Sequence, residues 1–164
     1  TDCLVQAGAA RVYALDTGYG VLAWKLRQDP RVVVMERTSV LHAPVPDAVR
    51  AAGGLDLVVI DAGWTPQRLV IPAAAKWLRA GGRIVSLVKP HYELEGDEKR
   101  TLLRGGVLSD DDAARVARRT IDRLAHEGCE VGGEVESPIR GGHANKEGSG
   151  NREWLVLLTI RGRA

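Results

Sequence analysis

The sequence lacks phenylalanine and has only two cysteines and one methionine among its 164 residues. Cys3 and Cys129 stand far apart, with neither a CxxC spacing nor a cluster of histidines beside them. A disulfide scaffold or a metal site is therefore not expected, and a reducing cytoplasm is the simplest setting. The longest apolar runs, LDLVVI and WLVLLTI, are strand-sized and far below the roughly 20 residues that span a bilayer. With no signal peptide visible either, no membrane partner is expected.

The bulk composition is typical of a soluble globular domain. Hydrophobic residues make up 45% of the chain and charged residues 27%, which is far from a disordered composition. The length suits one compact domain, and no low-complexity linker or repeat marks a boundary, so a single domain over 1–164 is expected. The net charge of +2 permits an RNA partner without arguing for one, because phosphate binding depends on a local basic patch.

Strand-like and helix-like segments alternate along the first half of the chain. The segment 18–28 is predicted as an amphipathic helix, and 69–82 as another in which Pro72 marks a kink or a late start. The run 55–61 is apolar on both faces, as in a central parallel strand. Such alternation is typical of a doubly wound α/β sheet with right-handed crossovers. The other strand-like runs lie at 11–15, 31–36 and 83–89.

The second half of the sequence has three parts. Residues 90–106 are polar and irregular and are predicted to form a loop or lid. The segment 109–128 has a strong helix signature, with Ser109 as N-cap and acidic residues in the first turn. The runs 129–138 and 152–160 are predicted as a terminal antiparallel pair of strands that a long flexible loop joins.

Ligands of doubly wound sheets collect at the carboxyl ends of the strands. Asp16 ends the first visible strand, where an acidic side chain commonly binds the hydroxyls of a ribose. Capping of the following turn is an equally good interpretation. Thr38 and Ser39 end the next strand and could touch an adenine edge, although loop Ser and Thr residues usually just form turns.

Asp61 and Lys89 are the stronger candidates for chemistry. Asp61 ends an apolar strand, and the small Ala62 and Gly63 after it leave room for a ligand near the backbone. Lys89 ends the neighbouring strand, directly before a proline. A buried charge is costly unless it is paired, so the alternative to a catalytic role is a structural ion pair between the two.

Several blocks of the sequence together resemble a known family. VYALDTGYGVLAWKLRQDPRVVVMERT, LVVIDAGW, IVSLVKPHYE, RGGVLSD, SPIRGG and GNREWLVLL are similar to the FtsJ-type methyltransferase domain of the TlyA/hemolysin A family. The likeness covers nearly the whole chain. Members of that family methylate the ribose 2′-oxygen of ribosomal RNA with S-adenosylmethionine as methyl donor. The resemblance implies a Rossmann-like class I methyltransferase sheet with an antiparallel last strand, that cofactor, and ribosomal RNA or a ribosomal subunit as partner.

The resemblance also implies catalytic and cofactor-binding residues. The last three members of the family's Lys-Asp-Lys-Glu tetrad match Asp61, Lys89 and Glu153, with Lys89 as the candidate base. The implied cofactor-binding residues are Asp16 for the ribose, Thr38 and Ser39 for the adenine, and Asp61. The sequence departs from the family pattern near Ser39, where members typically have Asn, and at AGWTPQ, where they have a Ser-Phe-Ile-Ser-like run.

Four residues are candidates for RNA contact. Tyr92 could stack on a base, while Arg140, His143 and Lys146 lie on the glycine-rich loop shortly before Glu153. The alternative is an ordinary solvated hairpin loop. The target nucleotide and the oligomeric state are left open by the sequence.

The family's first strand, its glycine-rich cofactor loop and its first tetrad lysine have no counterpart, since they would end immediately before Thr1. The missing strand would lie between those that end at Asp16 and Asp61, so an N-terminally incomplete domain with impaired activity is expected. One alternative is a non-catalytic RNA- or ribosome-binding module that keeps the methyltransferase fold. A nicotinamide-dependent oxidoreductase also fits Asp16, but it gives Lys89 and Glu153 no role.

Overall fold

The computed structural model describes residues 1–142 and 150–162. Contacts divide the chain into an N-terminal unit, Thr1–Pro44, and a C-terminal unit, Val45–Ala164. One domain over 1–164 therefore stays a prediction. Within the described residues, no helix is both long and apolar enough to cross a membrane.

The N-terminal unit contains a small parallel sheet. Strands β1 (Val12–Leu15) and β2 (Val32–Met35) pair from Val12 opposite Val32 to Leu15 opposite Met35. Val5, Val12 and Val32 form its buried core. The alternation of helix and strand confirms the order predicted for this part of the sequence. The elements are α1 (Asp2–Gln6), β1 (Val12–Leu15), α2 (Trp24–Arg27) and β2 (Val32–Met35).

The predicted helix over 18–28 is wrong in its first half. Helix α2 begins only at Trp24, and Val21 and Trp24 are 61% and 73% exposed instead of sharing a buried face with Leu26. The glycines before the helix explain the difference. Gly20 has a φ of 73°, in the left-handed region that interrupts a helix. Gly18 donates its backbone N–H to the Asp16 carboxylate, which forms a turn.

The C-terminal unit contains a sheet of four strands, β3 (Leu55–Ile60), β4 (Leu78–Val88), β5 (Cys129–Glu136) and β6 (Trp154–Ile160), in the order β3-β4-β6-β5. Strands β3 and β4 are parallel, whereas β6 is antiparallel to both β4 and β5. The α/β class and the antiparallel last strand are thus confirmed. The elements are α3 (Asp47–Ala51), β3 (Leu55–Ile60), α4 (Gln67–Ala75), β4 (Leu78–Val88), a 3₁₀ turn (Pro90–Tyr92), α5 (Glu98–Leu102), α6 (Asp110–His126), β5 (Cys129–Glu136) and β6 (Trp154–Ile160).

The core of the C-terminal unit lies on one face of β4 and β6. The register places Ile84 opposite Leu158 and Ser86 opposite Val156, and all four side chains are fully buried. Helix α4 contacts β4, and α6 contacts both β5 and α4. Strand β4 is therefore the rigid support from which the residues after Val88 extend.

Strand β3 differs from its prediction as a central strand buried on both faces. Val59 is 53% exposed and only Ile60 is buried. Among the described residues, β3 is hydrogen-bonded to β4 and to no other strand. Apolar residues on both faces of the run 55–61 predict burial of both faces, whereas in this structure β3 leaves Val59 exposed to solvent.

The predicted helix over 69–82 is also displaced. Helix α4 spans Gln67–Ala75 with Pro72 inside it, and β4 already begins at Leu78. The Trp77 carbonyl accepts the N–H of Leu55 at 2.7 Å, which draws the chain into the sheet. Strand pairing therefore overrides the helix-forming residues of this segment.

Residues 90–106 are only in part the irregular loop that their polarity predicts. The 3₁₀ turn and α5 lie within the segment, with irregular chain between and after them, and side chains fix the segment to α6. Leu94 and Leu108 pack on Val116 in a buried cluster. Arg119 donates two hydrogen bonds to the Glu98 carboxylate, at 2.6 and 2.9 Å. Some of the charged residues in this segment, such as Glu95 and Glu98, form ion pairs with arginines of α6.

Candidate active site

Asp61 and Lys89 lie at the carboxyl ends of two neighbouring parallel strands. Asp61 follows β3 and Lys89 follows β4, and the Lys89 Nζ lies 2.7 Å from the Asp61 Oδ1. The Lys89 side chain is 18% exposed and that of Asp61 is 69% exposed. The contact thus holds a largely buried amine at an edge that a ligand can reach.

Glu153 lies at the same rim of the sheet. It directly precedes β6, whose first residue Trp154 is paired with Val88, and it is only 7% exposed. Burial raises the pKa of the Glu153 carboxyl, the nearby Asp61 charge raises it further, and the Lys89 charge opposes them. The structure therefore brings the three predicted catalytic residues together.

Gly141 of this rim is not among the residues that the sequence singles out, whereas Asn151 lies beside Glu153 in the strand-end group Asn151-Arg152-Glu153. Gly141 pairs with Asn151 through two backbone hydrogen bonds, at 2.9 and 2.7 Å. The buried Asn151 side chain also binds the Leu108 N–H and the Gly106 carbonyl, each at 3.0 Å. These contacts fix the backbone next to Glu153. The sequence signal of Gly141 is the SPIRGG block, and that of Asn151 is its place in the GNREWLVLL block at the start of the last strand.

Three aromatic residues that follow Asp61 and Lys89 closely in the sequence, Trp64, His91 and Tyr92, form a cluster of ring contacts. Tyr92, predicted to contact RNA, has its ring centroid 5.0 Å from that of Trp64, which is 85% exposed. The ring centroid of His91, the residue before Tyr92, lies 4.0 Å from that of Tyr92. Burial, aided by the Lys89 charge, lowers the pKa of His91 to about 4. In the sequence, Trp64 lies in the strand-end group that begins at Asp61 and in the AGWTPQ departure from the family pattern.

Arg140 is committed to a partner within the protein. Its guanidinium binds both carboxylate oxygens of Asp110, each at 2.9 Å, and lowers the pKa of that carboxyl. RNA contact by Arg140 would have to share or replace this pair. His143 and Lys146, the other loop residues predicted to contact RNA, lie outside the described residues.

The predicted cofactor residues of the N-terminal unit lie at the ends of β1 and β2. The Asp16 carbonyl accepts the Thr38 N–H at 2.9 Å, which brings these two residues together. The Thr38 and Ser39 hydroxyls bind nearby backbone groups, as turn-forming side chains do. Asp16 is exposed, so its carboxylate is accessible to the hydroxyls of a ribose.

Comparison with known proteins identifies the family. The sequence profile of the FtsJ-like methyltransferases matches residues 1–149. The chain belongs to the FtsJ-like methyltransferase family. This confirms the resemblance found in the sequence.

Two curated relatives of this FtsJ-like chain are similar over nearly all of it. The 16S/23S rRNA (cytidine-2′-O)-methyltransferase TlyA of Mycobacterium tuberculosis is 39% identical over 159 residues, which are 96% of this chain and 55% of TlyA. YqxC of Bacillus subtilis, named as a candidate rRNA methyltransferase, is 39% identical over 96% of this chain and 53% of its own length. The chain therefore spans about half the length of these relatives.

Solved structures share the fold of this FtsJ-like chain. A candidate hemolysin of Streptococcus thermophilus superposes with a TM-score of 0.81 at 35% identity, over 97% of this chain and 54% of that one. The N-methyltransferase NodS of Bradyrhizobium japonicum, solved with S-adenosyl-l-homocysteine, has a TM-score of 0.54 at 15% identity, over 92% of this chain and 67% of its own. At that identity the likeness to NodS concerns the fold alone.

Proposed function

We propose that this FtsJ-like chain carries the catalytic residues of an S-adenosylmethionine-dependent ribose 2′-O-methyltransferase that acts on ribosomal RNA in the cytoplasm. The observation that carries the proposal is the gathering of Asp61, Lys89 and Glu153 at one rim of the sheet. A relative at 39% identity is named for methylation of the cytidine 2′-oxygen of 16S and 23S rRNA, which supports the substrate class.

The chain's residues act on the proton of the ribose hydroxyl. When bound, S-adenosylmethionine supplies an electrophilic methyl group, which the 2′-oxygen attacks as it loses its proton. We assign the acceptance of that proton to the Nζ of Lys89. Asp61 fixes the direction of this nitrogen through the 2.7 Å contact, so that a ribose entering at the exposed edge meets a positioned base. The Lys89 charge favours the ionised form of the buried Glu153 carboxyl at the same rim.

Cofactor binding is assigned to residues in each unit separately. In the N-terminal unit, Asp16 accepts hydrogen bonds from the ribose hydroxyls of the cofactor, and Thr38 and Ser39 face its adenine. The exposure of Asp16 and its contact with Thr38 support these roles. In the C-terminal unit, Asp61 is the cofactor-facing residue as well as the partner of Lys89.

RNA contact is assigned to Tyr92, whose ring belongs to the exposed aromatic cluster with Trp64. An unpaired base can stack on such a surface. Arg140 would contribute by exchanging Asp110 for a phosphate, and the roles of His143 and Lys146 remain predictions from the sequence.

Transfer of a labelled methyl group from S-adenosylmethionine to ribosomal RNA tests the proposal. Replacement of Lys89 by Met keeps the length of the side chain and removes its amine, so transfer should fall on the order of a hundredfold or more. Lys99→Met is the matched control, because Lys99 is an exposed lysine on α5. Equal transfer by the Lys89→Met variant and the wild type would exclude Lys89 as the base.

A further inference from the structure

One buried glutamine holds the strand end that carries Lys89. Gln67 is only 1% exposed, and both ends of its side-chain amide are used. The amide nitrogen donates to the Leu87 carbonyl at 3.2 Å, and the amide oxygen accepts the Ser86 hydroxyl at 2.7 Å. Both partners belong to the last three residues of β4, so these bonds fix the backbone just before Lys89.

The same glutamine also holds the chain after Lys89. Gln67 is the first residue of α4, and the N–H groups of a first helical turn have no partner inside the helix. Its N–H donates instead to the Glu93 Oε1 at 2.8 Å. Glu93 immediately follows the 3₁₀ turn that begins after Lys89. Burial raises the pKa of the Glu93 carboxyl, which the Gln67 N–H opposes.

Gln67 therefore connects the two loops of the ion pair. The segment that begins at Asp61 ends where α4 starts, at Gln67. The segment that contains Lys89 is bound to Gln67 on both sides, through Ser86 before it and Glu93 after it. We call Gln67, Ser86 and Glu93 the Gln67 clamp.

We propose that Gln67 and Glu93 are positioning residues, which hold the Lys89 amine against Asp61 through the Gln67 clamp. The catalytic part of this inference rests on the proposed function, whereas the placement of Lys89 does not. A buried amide that loses one partner must leave a polar group unsatisfied or move, which would shift the strand end. A shift of about 1 Å at a catalytic group can cost on the order of a hundredfold in rate.

Two substitutions of Glu93 distinguish the effect of its hydrogen-bond acceptor from the effect of its side-chain volume. Glu93→Gln keeps an oxygen that can accept the Gln67 N–H, whereas Glu93→Leu is of similar size and has none. Glu95→Leu is the matched control, because Glu95 lies on the same segment but is exposed and binds Arg123 on α6. Ser86→Ala removes one bond of the clamp and keeps the test open if Glu93→Leu does not fold.

The first measurement needs no methyl transfer. The purified protein is treated with an amine-acylating reagent, and mass spectrometry compares the labelling rate of Lys89 with that of the exposed Lys99. We expect the ratio to rise several-fold in Glu93→Leu and in Ser86→Ala, because a loosened Lys89 leaves Asp61. It should stay at the wild-type level in Glu93→Gln and Glu95→Leu.

The second measurement is the turnover number of methyl transfer to ribosomal RNA, with the affinity for S-adenosylmethionine measured in parallel. Glu93→Leu should lower turnover on the order of a hundredfold, with unchanged cofactor affinity, and Glu93→Gln should restore most of it. A folded Glu93→Leu variant with wild-type labelling of Lys89 would overturn the clamp, whatever its turnover. If the wild type transfers no methyl group, the labelling ratio still decides the clamp and the proposed function alone fails.

Discussion

The Glu153 carboxylate occupies the space in which a side chain at Gly141 would begin. A Cβ built on Gly141 would collide with the Glu153 Oε1 and would come 2.6 Å from its Cδ. The backbone of Gly141 lies outside the left-handed region, so its conformation is open to other residues. It is therefore the carboxylate, and not the backbone angle, that requires glycine here.

Gly141→Ala should displace the Glu153 carboxylate. Because the site is tightly packed, we expect the free energy of unfolding to fall by about 1–3 kcal/mol in chemical denaturation, with slower methyl transfer. Gly133→Ala is the matched control, since a Cβ on Gly133 meets nothing within 4 Å. In a Glu153→Ala background, the loss caused by Gly141→Ala should largely disappear. Equal losses in both backgrounds would show that the two residues are not coupled.

Trp64→Ala should weaken the binding of single-stranded RNA. Trp64 is 85% exposed and its ring lies 5.0 Å from that of Tyr92, so it offers a face on which a base can stack. Loss of one stacking ring should cost about 1–3 kcal/mol of binding free energy in a fluorescence titration. Trp64→Phe should keep most of the affinity. If both variants bind RNA as tightly as the wild type, the aromatic cluster is not part of the RNA-binding surface.

His91 should be neutral at physiological pH. Its ring titration, followed by NMR, should have a midpoint near the pKa of about 4 that burial and the Lys89 charge produce. Since this pKa lies below that of an unfolded histidine, the native state resists protonation. The protein should therefore lose stability as the pH falls from about 6.5 toward 4, and His91→Leu should flatten that slope. A midpoint between pH 6 and 7 would contradict the burial of the ring.

Glu98 should stabilise the segment 90–106 in a pH-dependent way. The hydrogen bonds from Arg119 lower the pKa of Glu98 to about 2 from its ordinary value of 4.5. Its contribution is thus complete above pH 4.5 and is lost as the pH falls through about 2. Glu98→Gln should cost about 1 kcal/mol at pH 7, since the pair is partly exposed, and almost nothing at pH 2.

Asp97→Asn is the matched control for Glu98, because Asp97 is 77% exposed and pairs with the exposed Arg100. Its substitution should change the free energy of unfolding little at any pH. A pH-independent cost of Glu98→Gln would mean that the charge of Glu98 does not matter.

Local signals predicted the elements that depend on local chemistry. The Ser109 hydroxyl accepts the Asp112 N–H at 3.1 Å, and α6 ends at His126, just before Gly128. The capping residues and the acidic first turn had indicated both ends of this helix. The alternation of strands likewise predicted that Asp61 and Lys89 follow neighbouring parallel strands, which is why their contact could be anticipated.

Features that depend on distant partners could not be predicted in this way. The start of β4 is set by the hydrogen bond from the Leu55 N–H to the Trp77 carbonyl and by the pairing of Leu55 with Leu78, which no local pattern encodes. The order in 90–106 comes from residues of α6 such as Arg119, which follow it in the chain. The role of Gly141 depends on the direction of the Glu153 side chain, and this becomes visible only when both are placed in space.

The position of the transferred methyl group tests the central claim most directly. Ribosomal RNA treated with the protein and S-adenosylmethionine is digested to nucleosides and analysed by mass spectrometry. We predict a 2′-O-methylated nucleoside with the wild type and its loss with Lys89→Met, while Lys99→Met keeps it. Methylation on a base, or ribose methylation that persists in Lys89→Met, would contradict the account of Asp61, Lys89 and Glu153 as a ribose methyl-transfer site.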